Sequence, residues 1–397
     1  MTQPNLNNSN RNNPNYGKTV RLTVAQAVLK FLSVQYSVSD GERRRFVPAA
    51  MGIFGHGNVA GLGQALDQYS DILPFVQGRN EQGLAHAATA FAKQTKRKQV
   101  IAVTASIGPG SMNMVTAAAL ATINRVPLLL LPGDSYTTRR QGPVLQQLEH
   151  PMDPGISVND AFKPISKFFD RITRPEQLLY SLPQAFRVLA SPVDTGAVVV
   201  SLPQDLQSHA FDWPEEFFKE RDWVIRRPNP SIDDLTAAAK IISKAKQPVI
   251  IAGGGITYSD ATSELEALAS ATGIPVCVTF GGQNAIQNPG DWYMYGIGLE
   301  GAPHTNRLVE QADVIISIGT RLTDFATASQ SIFLNPEVKF VSINVTELDA
   351  FKQGATAILG DAKLSLLALR KELENYHVPA EWKNLVKEKI AEWVTLR

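Results

Sequence analysis

Residues 100–134 read VIAVTASIGPGSMNMVTAAALATINRVPLLLLPGD. The apolar run at 100–105 has the length of a strand. It stops at Gly108-Pro109-Gly110, the kind of turn that closes a strand and opens a helix. Residues 112–124 are rich in Ala and Met and long enough for that helix. A second apolar strand follows at 128–131. Neither strand alternates polar with apolar, so each is buried on both faces. Strand, turn, helix and buried strand in this order read as a parallel sheet covered by helices.

The same alternation extends in both directions. Thr23, with Gln26 three residues later, reads as a capping box before Val24, Ala27, Val28, Phe31 and Leu32, which recur at helical spacing. An apolar run at 46–54 ends in the turn Gly55-His56-Gly57-Asn58. A helix near 59–66, a strand at 73–77 and a helix at 80–94 come next. Beyond a polar stretch, a helix at 175–191 leads to a strand at 197–202. Residues 211–231 are dense in charges, prolines and aromatics and read as an interdomain connection. A second alternation follows, with helices at 232–244, 264–271, 306–311 and 363–376. Its strands fall at 249–252, 274–279, 314–318 and 340–345. An amphipathic stretch at 380–394 runs almost to the last residue. The expected fold class is α/β, with two doubly wound parallel-sheet domains. The expected division is a disordered tail at 1–17, a first domain at 18–206, a linker at 207–231, a second domain at 232–378 and a helical tail at 379–397.

Composition narrows the function. The chain has 397 residues, 44% hydrophobic and 19% charged, with a net charge of +1. So balanced a charge argues against nucleic acid or an anionic membrane as the main partner. No apolar run approaches the roughly 18 residues of a membrane span. One cysteine, Cys277, allows no intrachain disulfide and fits a reducing cytoplasm. The first 17 residues are rich in Asn and Pro and carry no secretory leader pattern. The six histidines show no metal-ligand spacing, and no metal ligand is expected in this chain.

Three turns carry the candidate chemistry. Glu81 follows Asn80, a good N-cap, and so opens a helix at the carboxyl end of a strand, where open α/β sheets bind ligands. Its ordinary reading is a carboxylate favoured by the helix dipole. Gly55-His56-Gly57 and Gly108-Pro109-Gly110 are strand-to-helix turns on the same sheet edge, and glycines there permit a ligand close to the backbone. Their ordinary reading is turn geometry alone. Together the three make a better cleft than any one of them. Gly296-Ile297-Gly298-Leu299-Glu300-Gly301 matches G-x-G-x-x-G, but no acid follows at a strand end about 20 residues on, as a dinucleotide site requires. His86, within the helix after Glu81, reads as a packed histidine.

These residues also carry a family resemblance. Arg79-Asn80-Glu81-Gln82 followed by Ala85-His86-Ala87-Ala88 resembles the pyrimidine-binding domain of thiamine diphosphate enzymes of the acetolactate synthase type. Ser106-Ile107-Gly108-Pro109-Gly110 with Asn113, and Leu130-Leu131-Pro132-Gly133-Asp134, resemble the next turn and strand of that domain. The second unit is similar to the family's Rossmann-like central domain at 248–255, Ala312-Asp313-Val314 and Gly319-Thr320-Arg321. Five runs are similar to one branch of the family, which opens a cyclic 1,2-diketone hydrolytically in inositol catabolism. They are residues 53–59, 77–82, Val144-Leu145-Gln146-Gln147, Asn159-Asp160-Ala161-Phe162 and residues 320–325.

The resemblance implies thiamine diphosphate and Mg²⁺ as cofactors. It gives Glu81 the role of the carboxylate on N1′ of the aminopyrimidine, which promotes loss of the C2 proton. Pro109, Asn113 and Gln146 match positions that line the pyrimidine. His56 stands where acetolactate synthases carry an aromatic residue, and Gly57 where they carry a proline. His56 is therefore a candidate for proton transfer to substrate oxygen as well as for cofactor contact. The family's third domain holds the diphosphate and metal through Gly-Asp-Gly and a later Asn. Here Gly133-Asp134, Gly290-Asp291 and Gly360-Asp361 do not continue to glycine, so that domain and the Mg²⁺ ligands are expected outside this chain. The site would then need a second copy or a separate diphosphate-binding chain. The same-family alternative is an acetolactate-synthase-like carboligase. The other alternative is a non-catalytic remnant or assembly subunit. No residue demands a flavin in the second unit.

Overall fold

The computed structural model describes residues 17–138, 140–148 and 150–396. The tail expected at 1–17 lies outside the described residues except for Gly17. The chain divides into two units, Met1–Arg226 and Arg227–Arg397.

In the first unit six strands form one sheet: β1 (Ala50–Gly52), β2 (Phe75–Gln77), β3 (Ala102–Ala105), β4 (Leu128–Asp134), β5 (Phe168–Arg171) and β6 (Ala197–Pro203). Their order is β2-β1-β3-β4-β6-β5, and every pairing is parallel. Every residue of β4 and β6 is buried. Side chains alternate across a strand. Leu129, Leu131, Val198 and Val200 therefore join one core with Val28, Leu32, Leu182 and Phe186. Leu128, Leu130 and Val199 join the opposite core with Ala85, Ala88, Ala117 and Ala121. The uninterrupted apolar runs follow from this two-sided burial.

The covering helices are α1 (Val24–Ser33), α2 (Glu81–Gln94), α3 (Val115–Ile123) and α4 (Leu178–Leu189). Thr23 caps α1 with a full capping box: its Oγ1 accepts from Gln26 N at 3.2 Å, and Gln26 Oε1 accepts from Thr23 N at 2.9 Å. Asn80 caps α2 through Oδ1, which accepts from Gly83 N at 2.8 Å. The helix expected at 112–124 is instead two pieces, Pro109–Met112 and Val115–Ile123. The break brings Asn113 to the end of the first piece.

Part of the stretch expected to be a linker is structured within this unit. Ala210–Pro214 pairs antiparallel with Thr19–Thr23, and Arg221–Val224 pairs parallel with Gln35–Ser39. The physical reason lies in the aromatics. Trp213 and Phe217 are buried core residues, and Trp213 stacks on Phe217 with centroids 5.8 Å apart.

The second unit repeats the plan with β7 (Pro248–Ala252), β8 (Val276–Val278), β9 (Tyr293–Gly296), β10 (Val314–Ile318), β11 (Lys339–Asn344) and β12 (Thr356–Leu359). The order is β9-β8-β7-β10-β11-β12, again parallel throughout. Its principal helices are α5 (Ile232–Ile242), α6 (Thr262–Thr272), α7 (Pro303–Glu310), α8 (Ala362–Glu372) and α9 (Ala380–Leu396). The residues expected to form a trailing helix are anchored on this unit. Trp382 and Val386 of α9 are buried in its core, and Trp382 Nε1 donates to Pro248 O at 3.1 Å. Among the described residues no helix is long and apolar enough to cross a membrane.

Strand order locates the ligand edge. In the first unit the chain passes from β1 outward to β2, then returns across β1 to β3. That reversal makes the carboxyl ends of β1 and β3 a topological switch point, where open α/β sheets leave a crevice.

Candidate active site at the β1–β3 switch point

Three turns leave the sheet at this edge. The turn after β1 carries Gly55, His56, Gly57 and Asn58, the turn after β2 leads to Glu81, and the turn after β3 carries Ser106 to Gly110. They are in contact through specific atoms. Asn113 Nδ2 donates to Glu81 Oε2 at 3.0 Å. Glu81 Oε1 lies against Gly110, where a Cβ would stand 3.3 Å from it. Gly57 N donates to Ser106 Oγ at 3.2 Å, and a Cβ at Gly57 would overlap the Ile107 side chain. Only glycine lets the two turns approach so closely.

A fourth segment joins them. Residues 144–147 form a turn closed by Gln147 N donating to Val144 O at 3.1 Å. His56 Nε2 lies 3.2 Å from Leu145 O. Gln146 has a left-handed backbone (φ 64°), and a Cβ at Gly108 would overlap its carbonyl oxygen. Gly108 itself has φ 70°, a conformation costly for any other residue. All five residues singled out from the sequence, His56, Glu81, Pro109, Asn113 and Gln146, therefore lie on segments in mutual contact. Pro109, Asn113 and Gln146 are exposed, and His56 and Glu81 half-buried.

The end of β4 is held by a buried polar network; Asp134, Asn159 and Asp160 stand in runs quoted above, but their pairing with Arg171, Ser157 and Ser201 was not legible there. Asp134 is fully buried, and its Oδ2 accepts from Arg171 Nε at 2.8 Å and from Ser201 Oγ at 2.5 Å. Arg171 Nη2 also donates to Ser157 Oγ at 2.7 Å and to Asp160 Oδ2 at 3.0 Å. Asn159 donates to Gly133 O at 2.8 Å. This ties the chain after the 144–147 turn back onto the sheet. Asn58 and Ser106, quoted above only as members of their turns, and Gln207, which no quoted run contains, also hold these segments. Asn58 had a signal, an Asx residue three positions after a glycine in a turn. Gln207 had none.

The G-x-G-x-x-G run begins at the end of β9, an edge strand, and not at the β7–β10 switch point of the second unit. Among the described residues no group of three or more His, Cys, Asp or Glu is placed to hold a metal ion.

Comparison with known proteins accounts for the arrangement. Residues 47–154 match the thiamine pyrophosphate enzyme N-terminal TPP binding domain, and residues 235–369 match the thiamine pyrophosphate enzyme central domain. Together the two matches cover more than half of the chain. The chain belongs to the thiamine pyrophosphate enzymes. The second sheet and strands β1–β4 of the first fall within these matches, and the β1–β3 switch point lies in the TPP binding domain. The chain is 50% identical over 357 residues to the 3D-(3,5/4)-trihydroxycyclohexane-1,2-dione hydrolase of Bacillus cereus (strain AH820). It is equally similar to the 3D-(3,5/4)-trihydroxycyclohexane-1,2-dione hydrolase of Bacillus anthracis (strain CDC 684 / NRRL 3495), and 49% identical to that of Bacillus thuringiensis (strain Al Hakam). Each match covers 90% of this chain and 55% of the relative.

Proposed function

We propose that the full protein is a thiamine diphosphate-dependent hydrolase that cleaves a C–C bond of a polyhydroxylated cyclic 1,2-diketone. The observation that carries this reading is the 50% identity to hydrolases of that name across both domains. The chain spans about half the length of those relatives, so the reaction is assigned to the whole protein.

The first unit fits the aminopyrimidine half of the cofactor. Glu81 Oε2 is occupied by Asn113, while Oε1 faces Gly110, has no hydrogen-bond partner among the described residues and would accept from a ligand nitrogen. A carboxylate there accepts a hydrogen bond from a ring N–H and can return a proton to it. Pro109 and Gln146 would flank the ring, and Gly110 leaves Glu81 Oε1 uncrowded beside it. Thiamine diphosphate, when bound, supplies a nucleophilic carbon and an electron sink for C–C cleavage. His56 would exchange a proton with a substrate oxygen. Mg²⁺ would neutralise the diphosphate, and no residue of this chain is assigned to it. A second copy, or another diphosphate-binding part, would complete the site. The single cysteine fits a cytoplasmic setting.

Product analysis tests the reading. The protein supplied with thiamine diphosphate, Mg²⁺ and the cyclic diketone should yield one ring-opened acid. A carboligation product from 2-oxo acids, with no ring opening, would replace the reading by a synthase.

A further inference from the structure

His56 sits between two peptides that buried polar side chains hold. Asn58, 1% exposed, accepts from Gly55 N at 2.9 Å and donates to Ile53 O at 3.1 Å and Thr104 Oγ1 at 3.2 Å. Ser106 Oγ accepts from Gly57 N at 3.2 Å. Gln207, also 1% exposed, donates to Gly57 O at 2.8 Å and Leu202 O at 2.9 Å, and its Oε1 accepts from Leu62 N at 3.1 Å. The backbone on both sides of His56 is thereby fixed.

The ring has a defined contact as well. Its Nε2 lies 3.2 Å from Leu145 O. A carbonyl oxygen can only accept, so the nitrogen facing it carries the proton. In the neutral ring that leaves Nδ1 unprotonated. The carbonyl has little freedom, because the next residue, Gln146, is seated on Gly108.

We propose that the Leu145 carbonyl holds His56 as the Nε2–H tautomer, that Nδ1 is the nitrogen that exchanges a proton with substrate, and that Asn58, Ser106 and Gln207 are positioning residues for it. The Nδ1 part rests on the proposed role of His56 in the hydrolase. When a substrate hydroxyl gives its proton to Nδ1, the ring becomes an imidazolium with both nitrogens protonated. Returning the proton to a substrate oxygen restores the Nε2–H form. The oxygen and the ring exchange charge, and no other reactant is consumed. A ring with two alternative neutral forms would offer the wrong nitrogen part of the time, so the lock raises the fraction of competent sites.

Ring-nitrogen NMR of the full chain labelled with ¹⁵N-histidine tests this, with His56→Gln identifying the His56 signals among the six histidines. The expected spectrum has Nε2 protonated and Nδ1 bare. A proton on Nδ1, or the averaged signals of a freely exchanging imidazole, would overturn the proposal. Gln207→Leu should convert the locked spectrum to the averaged one while circular dichroism remains that of the folded chain. A folded variant with an unchanged spectrum would remove Gln207 from the positioning set. Should Gln207→Leu not fold, Ser106→Ala, which deletes one acceptor, carries the same test. Failure of the hydrolase role reads out differently. Unchanged turnover in His56→Ala would take His56 out of the reaction, and the tautomer measurement would stand or fall by itself.

Discussion

Asn113 Nδ2 donates to Glu81 Oε2 at 3.0 Å, although the two residues are 32 positions apart in the chain. The contact joins the helix after β2 to the end of the short helical piece after β3. The other carboxylate oxygen, beside Gly110, has no hydrogen-bond partner among the described residues. A carboxylate held at one oxygen and open at the other has a defined direction toward a ligand.

Asn113→Ala removes that orientation without removing the carboxylate. A hydrogen bond to a charged group contributes about 1.5–3 kcal/mol. If it is needed in the transition state, kcat of the cofactor-loaded protein falls about ten- to a hundredfold. Asn113 is exposed, so the unfolding temperature should not move. Steady-state kinetics beside a thermal melt measures both.

Arg171→Ala addresses stability. Asp134 is fully buried and Arg171 is its only cationic partner among the described residues. Removing one partner of a buried pair leaves an uncompensated charge, which costs about 3–5 kcal/mol. Urea denaturation of the variant should show that loss. A change below about 1 kcal/mol would mean the pair is solvated as a surface pair is.

Asp160 gives the first unit an acid-sensitive element. Burial alone would raise its pKa. Hydrogen bonds from Lys163, the Ser157 N–H and Arg171 outweigh burial and hold it below the ordinary value of 3.8. A group with a depressed folded pKa stabilises the fold above its unfolded pKa, and that stability is lost as pH falls through the folded value. Stability measured downward from about pH 5 should therefore fall less steeply in Asp160→Asn than in the parent protein. Equal slopes would exclude Asp160 as a source of the acid response.

Cys277 supplies a probe of the second unit. It is fully buried in β8, its Sγ donates to Ile250 O at 3.4 Å, and burial pushes the thiol pKa up. A protonated, inaccessible thiol is inert. Thiol reagents should leave the native protein unlabelled and react once denaturant unfolds this unit. Rapid labelling of the folded chain would show that β8 opens locally.

The sequence displayed some of this and concealed the rest, for physical reasons. Runs such as 128–131 were legible because a strand buried on both faces has nowhere to place a polar side chain. Glu81 was legible because Asn80 marks where its helix begins. β9 and β12 are short edge strands whose residues carry little period, and 356–359 drew no strand reading at all. Residues 211–224 looked like a linker because their charges are frequent, yet Trp213 and Phe217 complete the core of the first unit. The contacts of Asn58, Ser106 and Gln207 and the Asp134–Arg171 pairing escaped for a different reason. A buried polar side chain is defined by partners distant in sequence, and Gln207 lies 150 positions from the Gly57 carbonyl it holds.

Turnover by Glu81→Gln tests the central claim most directly. Glutamine keeps the size of the side chain and can still accept from Asn113, but it cannot take up or return a proton. General acid–base catalysis contributes about 10²–10⁴ in rate. The account predicts that kcat of the full protein, saturated with thiamine diphosphate and the cyclic diketone, falls at least about a hundredfold with the unfolding temperature unchanged. Turnover within about threefold of the parent protein, far short of that range, would contradict the assignment of Glu81 and of the β1–β3 crevice as the catalytic site.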